Sequence, residues 1–255
     1  MCDSQSIKNQ IKVISDIHLE YYTDYNFFSI IEPDSTSILC LLGDIGNPFS
    51  DLYKKFIEWC SKNFYRVFII AGNHEYYNSS IEKSNSKITD VCSFYNTHFL
   101  NNSSFIINDK IFIGTTLWSF IPDKYKDTIQ TSINDYKYIE NFNYETCNKL
   151  HIESINYIKS IIEKFKYTHR IIILSHHSPL LENTSKSHLE KLDTNYAFSS
   201  DQTELMKDVE FWLYGHTHFN NINNQLKYNN TTLISNQVGY SKEYLRNYNK
   251  FFYFI

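Results

Sequence analysis

The chain has 255 residues, enough for one large α/β domain or two small ones, and no linker-like stretch favours two, so a single domain over residues 1–255 is expected. Hydrophobic residues at 42%, charged residues at 20% and only 6 Gly and 4 Pro exclude a disordered or fibrous chain. A formal charge of −4 disfavours a long track for nucleic acid, which needs a basic face.

The N-terminus, MCDSQSIKNQ, lacks the apolar core of a secretion signal. No window reaches the ~18 apolar residues needed to cross a bilayer. A cytoplasmic location with no membrane partner is therefore expected, and nothing points to a protein partner. Cys2, Cys40, Cys60, Cys92 and Cys147 show no CxxC pairing and read as free thiols.

In chain order, residues 11–15 form a short β-branched run that predicts a strand and ends in Asp16-Ile17-His18. Residues 37–42 predict a second strand, followed by Gly43-Asp44. Residues 51–62 carry Leu52, Phe56, Trp59 and Cys60 at helical spacing. A strand at 66–71 runs into Gly72-Asn73-His74-Glu75, with a helix expected near 79–92. NNSS at 101–104 reads as a polar turn, and 110–115 as a strand. Residues 150–165 repeat helical spacing through Ile155, Ile158, Ile162 and Phe165. The strand at 170–175 leads to His176-His177-Ser178-Pro179, and the one at 211–214 to Gly215-His216-Thr217-His218. Residues 225–228, 231–234 and 251–255 look like strands joined by polar turns, which suits an antiparallel tail. The alternation of β and α implies a layered α/β domain with at least partly mixed sheets.

Polar residues just beyond the carboxyl ends of strands are those that can meet a ligand in an α/β sheet. Six of the ten histidines lie in such junctions. A D-x-H triplet alone carries little weight, GHxH is rarer by chance, and GNH followed by an acid rarer still. Several imidazoles and carboxylates converging at one edge would be costly to desolvate unless a multivalent cation sits among them. Carboxylate, amide oxygen and imidazole suit Mn²⁺, Fe or Zn²⁺, and are too rich in nitrogen for a Ca²⁺ cage.

DIH, GD, GNHE, a strand-end His and GHTH, in that order, resemble the calcineurin-like metallophosphoesterases. GTTLW at 114–118, NDY at 134–136, AFSSD at 197–201 and SNQVGY at 235–240 are similar to a bacterial-type branch of that family. The resemblance implies a four-layer α/β/β/α sandwich of two facing mixed sheets flanked by helices. It also implies two divalent ions, with Asp16, His18 and His218 at one, Asn73, His176 and His216 at the other, and Asp44 shared. His176 and His177 both qualify, because neighbours at a strand end point in opposite directions. We favour His176, which directly follows the apolar strand, leaving His177 to support the ligands from behind, to touch the substrate or to lie on the surface.

The implied activity is hydrolysis of a small phosphate ester, diester or monoester, by attack of a hydroxide shared between the ions, with Mn²⁺ the leading metal. His74 is the candidate proton donor to the leaving oxygen, with Gly72 allowing a tight bend before it. Glu75 is expected to orient His74 or to cap the next helix. Trp118 and Asn236 are candidate substrate contacts, Trp118 alternatively a core aromatic, and Asp201 a helix N-terminal residue. Asn47 stands where the phosphoprotein phosphatases carry the second Asp of GDxxD, and a neutral amide cannot stabilise an imidazolium as that carboxylate would. Protein phosphatase activity is accordingly disfavoured. Substrate choice is expected to lie in loops 119–145 (Tyr125, Tyr136, Lys137, Tyr138) and 180–200 (His188, Lys191, Tyr196). A nuclease with the same metal pattern, or a non-catalytic scaffold, are the competing readings.

Overall fold

A computed structural model describes residues 10–94, 96–243 and 245–255. Cys2 lies outside the described residues; Cys40, Cys60, Cys92 and Cys147 are free. No described helix is long and apolar enough to cross a membrane.

Two sheets carry the fold. The first has the order β1-β2-β3-β4 and joins β1 (Ile11–Ile14), β2 (Asp34–Leu42), β3 (Phe64–Ile70) and β4 (Thr97–Phe99). The second contains β5 (Ser103–Ile107), β6 (Lys110–Thr115), β7 (Arg170–Ser175), β8 (Phe211–Leu213), β9 (Gln225–Tyr228) and β10 (Thr231–Ile234), in the order β5-β6-β7-β8-β10-β9. The four strands of the first sheet pair in parallel, and the second sheet mixes parallel with antiparallel pairs. Residues 251–255 do not form a strand: Phe254 makes a single antiparallel bridge to Ile11 at the edge of the parallel sheet.

Strand residues alternate between two apolar faces, as expected for strands covered on both sides. Val13, Cys40, Leu42, Phe68 and Ile70 meet Phe112, Ile172, Leu174 and Leu213 between the sheets. The other faces are covered by helices. Leu39, Leu41, Val67 and Ile69 pack on Phe56, Ile57 and Cys60 of α1 (Asp51–Asn63) and on Ile88 of α2 (Ile81–Val91). Ile111, Ile113, Ile171 and Ile173 pack on Ile158 and Ile162 of α5 (Tyr144–Phe165), which follows the short helices α3 (Lys126–Ser132) and α4 (Asp135–Tyr138). The result is the α/β/β/α sandwich.

Local signals set the helix starts. Ser50 accepts the Tyr53 N–H before α1, and Asn143 the Thr146 N–H before α5, which therefore begins earlier than the apolar spacing implies. Because β1, β2 and β3 run parallel, as do β6, β7 and β8, each set ends at one edge. The two edges meet where His176 Nδ1, at the end of β7, donates to the Leu42 carbonyl at the end of β2 (2.7 Å).

Candidate metal centre

Five junctions converge at this shared edge. The Asp16 N–H donates to the Gly43 carbonyl (3.1 Å) and the His18 N–H to the Asp44 carbonyl (2.9 Å), tying the first two loops together. Gly43 adopts φ +84°, and its neighbour Gly72 lies so close that a Cβ on Gly72 would stand 2.2 Å from Asp44 Oδ1. Gly72 thus provides room rather than the tight bend expected of it. Asp16, His18, Asp44, His216 and His218 all sit in the left-handed region, at φ between 47° and 71°.

The loops are clamped by Glu75. Its buried carboxylate accepts the N–H groups of Gly72 (2.7 Å), Asp44 (2.9 Å) and Ile45 (2.8 Å), with Gly46 at 3.4 Å. Burial, with Asp44 nearby, raises its pKa to about 7. This corrects both expectations for Glu75: it binds backbone, while Ser80 caps α2. Asp135 of the NDY segment plays a related part, accepting from Asn73 Nδ2 and the Tyr77 hydroxyl, each at 2.7 Å.

The side chains turn nitrogens and oxygens toward one another. His18 Nδ1 donates to Glu20 Oε1 (2.9 Å) and His218 Nδ1 to Glu243, so both rings turn Nε2 inward, 3.1 Å apart. His176 donates through Nδ1, and its Nε2 lies 3.1 Å from Asn73 Oδ1 and 3.4 Å from Asp44 Oδ1. Asn73 has given its amide N–H to Asp135, which leaves Oδ1 facing inward. Asp16, His18 and His218 form one group of clustered donor atoms, and Asp44, His176 and His216 another. Inward nitrogens and oxygens clustered this closely need either protons or cations among them, so this donor set fits divalent metal ions.

In the protein alone, protons take the cations' place. Burial disfavours charge on His176, but Asp44 outweighs it and lifts the pKa to about 9. At His218 burial is outweighed by hydrogen bonds to Asp16 and Glu243, giving about 10. Burial likewise fails to prevent Asp44 from falling well below its ordinary value beside His176 and His74. His216, buried beside His177 and His176, is pushed well below its usual range. Metal binding would release such protons.

His74 stands at the rim. Its N–H donates to Asp44 Oδ1 (2.9 Å), its Nδ1 is 2.9 Å from Glu20 Oε1, its Nε2 is 3.3 Å from the Tyr240 hydroxyl, and its ring stacks on Tyr77 at 4.3 Å. Glu20 therefore holds two imidazoles with one oxygen. Neither Glu20, Asp135 nor Glu243 was singled out by sequence reasoning; the signal for Asp135 lay in the NDY segment.

Other expected contacts lie elsewhere. His177 is buried, bonded through Nδ1 to the Ser119 hydroxyl (2.9 Å) and stacked under His216 at 4.2 Å, so of the roles open to it the structure gives it support of that ring. Trp118 is a core aromatic between Tyr76 and Phe142, not a substrate contact. Asn236 is also buried; its Nδ2 donates to the carbonyls of Val13 and Asn249, which spends it on structure. Asn47 accepts the Phe49 N–H (2.9 Å) and makes no bond to His74, although both line the same hollow. Asp201 accepts the Thr203 N–H at the start of a short 3₁₀ turn, as expected. Tyr125 and Tyr196 stack on each other.

A cleft of about 370 Å³ opens over Asp44, Asn73, His74, His216 and His218, walled by Ile133, Asn134, Lys186 and Tyr240. Donor clusters at the carboxyl edge of a β-sandwich, open to a cleft, are the arrangement of a metal-dependent hydrolase. The calcineurin-like phosphoesterase family model matches residues 10–220, and the chain belongs to that family, as a metal-dependent phosphoesterase. It is 34% identical to an uncharacterized protein of Acanthamoeba polyphaga mimivirus, over 95% of each chain. Its fold is similar to the crystal structure of a phosphopantetheinyl hydrolase from Mycobacterium tuberculosis, with TM-score 0.69 and 14% identity, covering 93% of this chain and 92% of that one. A dimetal phosphatase from Danio rerio matches with TM-score 0.53 and 12% identity, over 89% and 86% of the two chains.

Proposed function

We propose that the protein hydrolyses a small phosphate ester, monoester or diester, using two divalent ions with Mn²⁺ foremost. Asp16, His18 and His218 would hold one ion, Asn73, His176 and His216 the other, with Asp44 between. The observation that carries this reading is the inward convergence of His18 Nε2, His218 Nε2, His176 Nε2 and Asn73 Oδ1, while the outer nitrogen of each is held by Glu20, Glu243, the Leu42 carbonyl and Asp135 in turn. Bound ions of this kind supply Lewis acidity and bring the pKa of a water toward neutrality.

The chain's own residues do the rest. Glu20 fixes the proton of His74 on Nδ1 and stabilises its charged form, so Nε2 is the atom that delivers a proton to the leaving oxygen. Burial lowers the His74 pKa, but Asp44 and Glu20 outweigh it and raise the value to about 9, which keeps that proton in place near neutrality. The carboxylate missing at Asn47 is thus supplied from the first loop. Protein reconstituted with Mn²⁺ should hydrolyse p-nitrophenyl phosphate or its bis ester, and Asp44→Ala should abolish this with an unchanged circular dichroism spectrum. Turnover independent of metal, or surviving in Asp44→Ala, would overturn the reading.

A further inference from the structure

A second hollow of about 500 Å³ joins the central cleft through His74, Tyr77, Asn134 and Tyr240, which line both. Among the described residues its lining contains no lysine or arginine, and its one carboxylate there, Glu20, is already engaged by His18 and His74. Rings dominate it. Tyr77 lies against Tyr138 at 5.3 Å, and Tyr21 meets Tyr240 edge-on at 5.5 Å. Tyr21 is 63% exposed and Tyr138 46%, a large aromatic surface left open beside the reacting centre. The amides of Asn47, Asn78 and Asn134 complete the lining.

We propose that this hollow receives the nucleobase of a nucleoside leaving group, so that the substrate is a nucleoside phosphate ester. The inference rests on the phosphoesterase reading and specifies its substrate class. Position supports it: His74, the proton donor, borders the hollow, so the group on the departing oxygen extends into it. Chemistry narrows the occupant further. A neutral site suits an uncharged group, ring faces suit a planar heterocycle, and amides offer the donor and acceptor pairs that a base edge requires. A plain aromatic alcohol would leave the amides unused, and a polyol would leave the rings largely uncovered. The volume falls within the range of small-molecule sites. In the reaction water adds to phosphorus and the bond from phosphorus to the nucleoside oxygen breaks. That oxygen keeps the electron pair and takes the His74 Nε2 proton.

The test uses the full chain loaded with Mn²⁺. Its kcat/KM for the four ribonucleoside 5′-monophosphates is compared with that for glycerol 3-phosphate, a similarly basic leaving group without a ring. Nucleotides should be favoured by about tenfold or more through KM, and Tyr138→Ala and Tyr21→Ala should each collapse much of that preference, in keeping with the size of base–aromatic stacking effects. Adenosine binding, followed by titration calorimetry, should weaken about tenfold in the same variants. Equal treatment of the two substrate types, or no binding of any ribonucleoside or its monophosphate, would overturn the proposal. Absence of metal-dependent turnover of p-nitrophenyl phosphate would instead overturn the phosphoesterase reading, while the binding measurement would still decide the hollow's occupant.

Discussion

Replacing Glu20 by Gln removes a charge while keeping shape and one acceptor. Glu20 Oε1 holds both His74 Nδ1 and His18 Nδ1 at 2.9 Å. A hydrogen bond to a charged group contributes about 1.5–3 kcal/mol and a neutral one about 0.5–1.5, so each imidazole loses roughly 1–1.5 kcal/mol of support, or about tenfold. For His18 this appears as weaker metal affinity, at the low end of the ~10–100-fold seen when the outer partner of a ligating imidazole is changed. For His74 it appears as weaker proton donation. Saturating Mn²⁺ separates the two effects. Under that condition kcat for glycerol 3-phosphate should fall about tenfold, while kcat for 2,4-dinitrophenyl phosphate, whose leaving group needs no proton, should change by less than about twofold. An equal loss on both substrates would show that Glu20 acts through His18 alone, and the assignment of His74 as proton donor would fall with it.

Asp135→Ala frees the Asn73 amide to turn and should weaken one of the two ion sites about 10–100-fold, so that the metal content after dialysis against limiting Mn²⁺ falls from two toward one. Glu75→Ala strands three short backbone donors in the core. At about 1–3 kcal/mol each, partly relieved by relaxation, the loss should be about 4 kcal/mol and the Tm lower by about 10 °C in a thermal melt. Stripping the metals with chelator should lower the Tm, and Mn²⁺ at about a thousand times its Kd should restore about 4 kcal/mol per site.

The strands were readable because each apolar run is covered on both faces and stops abruptly at a polar junction. That contrast made β6, β7 and β10 plain to the residue, while β9 showed instead through the alternation of Leu226 and Tyr228 with exposed polar residues. β4 and β5 escaped for the opposite reason. The first is three residues long, and the second begins with Ser103 and Ser104, polar residues that read as turn because nothing local shows that β6 pairs with them. Candidate ligands were legible for similar reasons, since each sits next to its strand. Glu20, Asp135 and Glu243 were not, because a carboxylate that orients a distant imidazole or amide leaves no spacing rule in the chain. His177 shows the limit of strand-end reasoning: alternation correctly sends it away from His176, but the loop folds back and carries it beneath His216.

The five metal-centre residues held at positive φ, Asp16, His18, Asp44, His216 and His218, have a consequence for how this molecule ages in evolution. At about 1–2 kcal/mol apiece for a side chain other than glycine, their backbone cost is comparable to the entire margin by which an ordinary domain stays folded. A lineage released from catalysis would gain sturdiness by exchanging these residues for glycine or asparagine. Robustness and reactivity therefore pull on the same handful of codons in opposite directions.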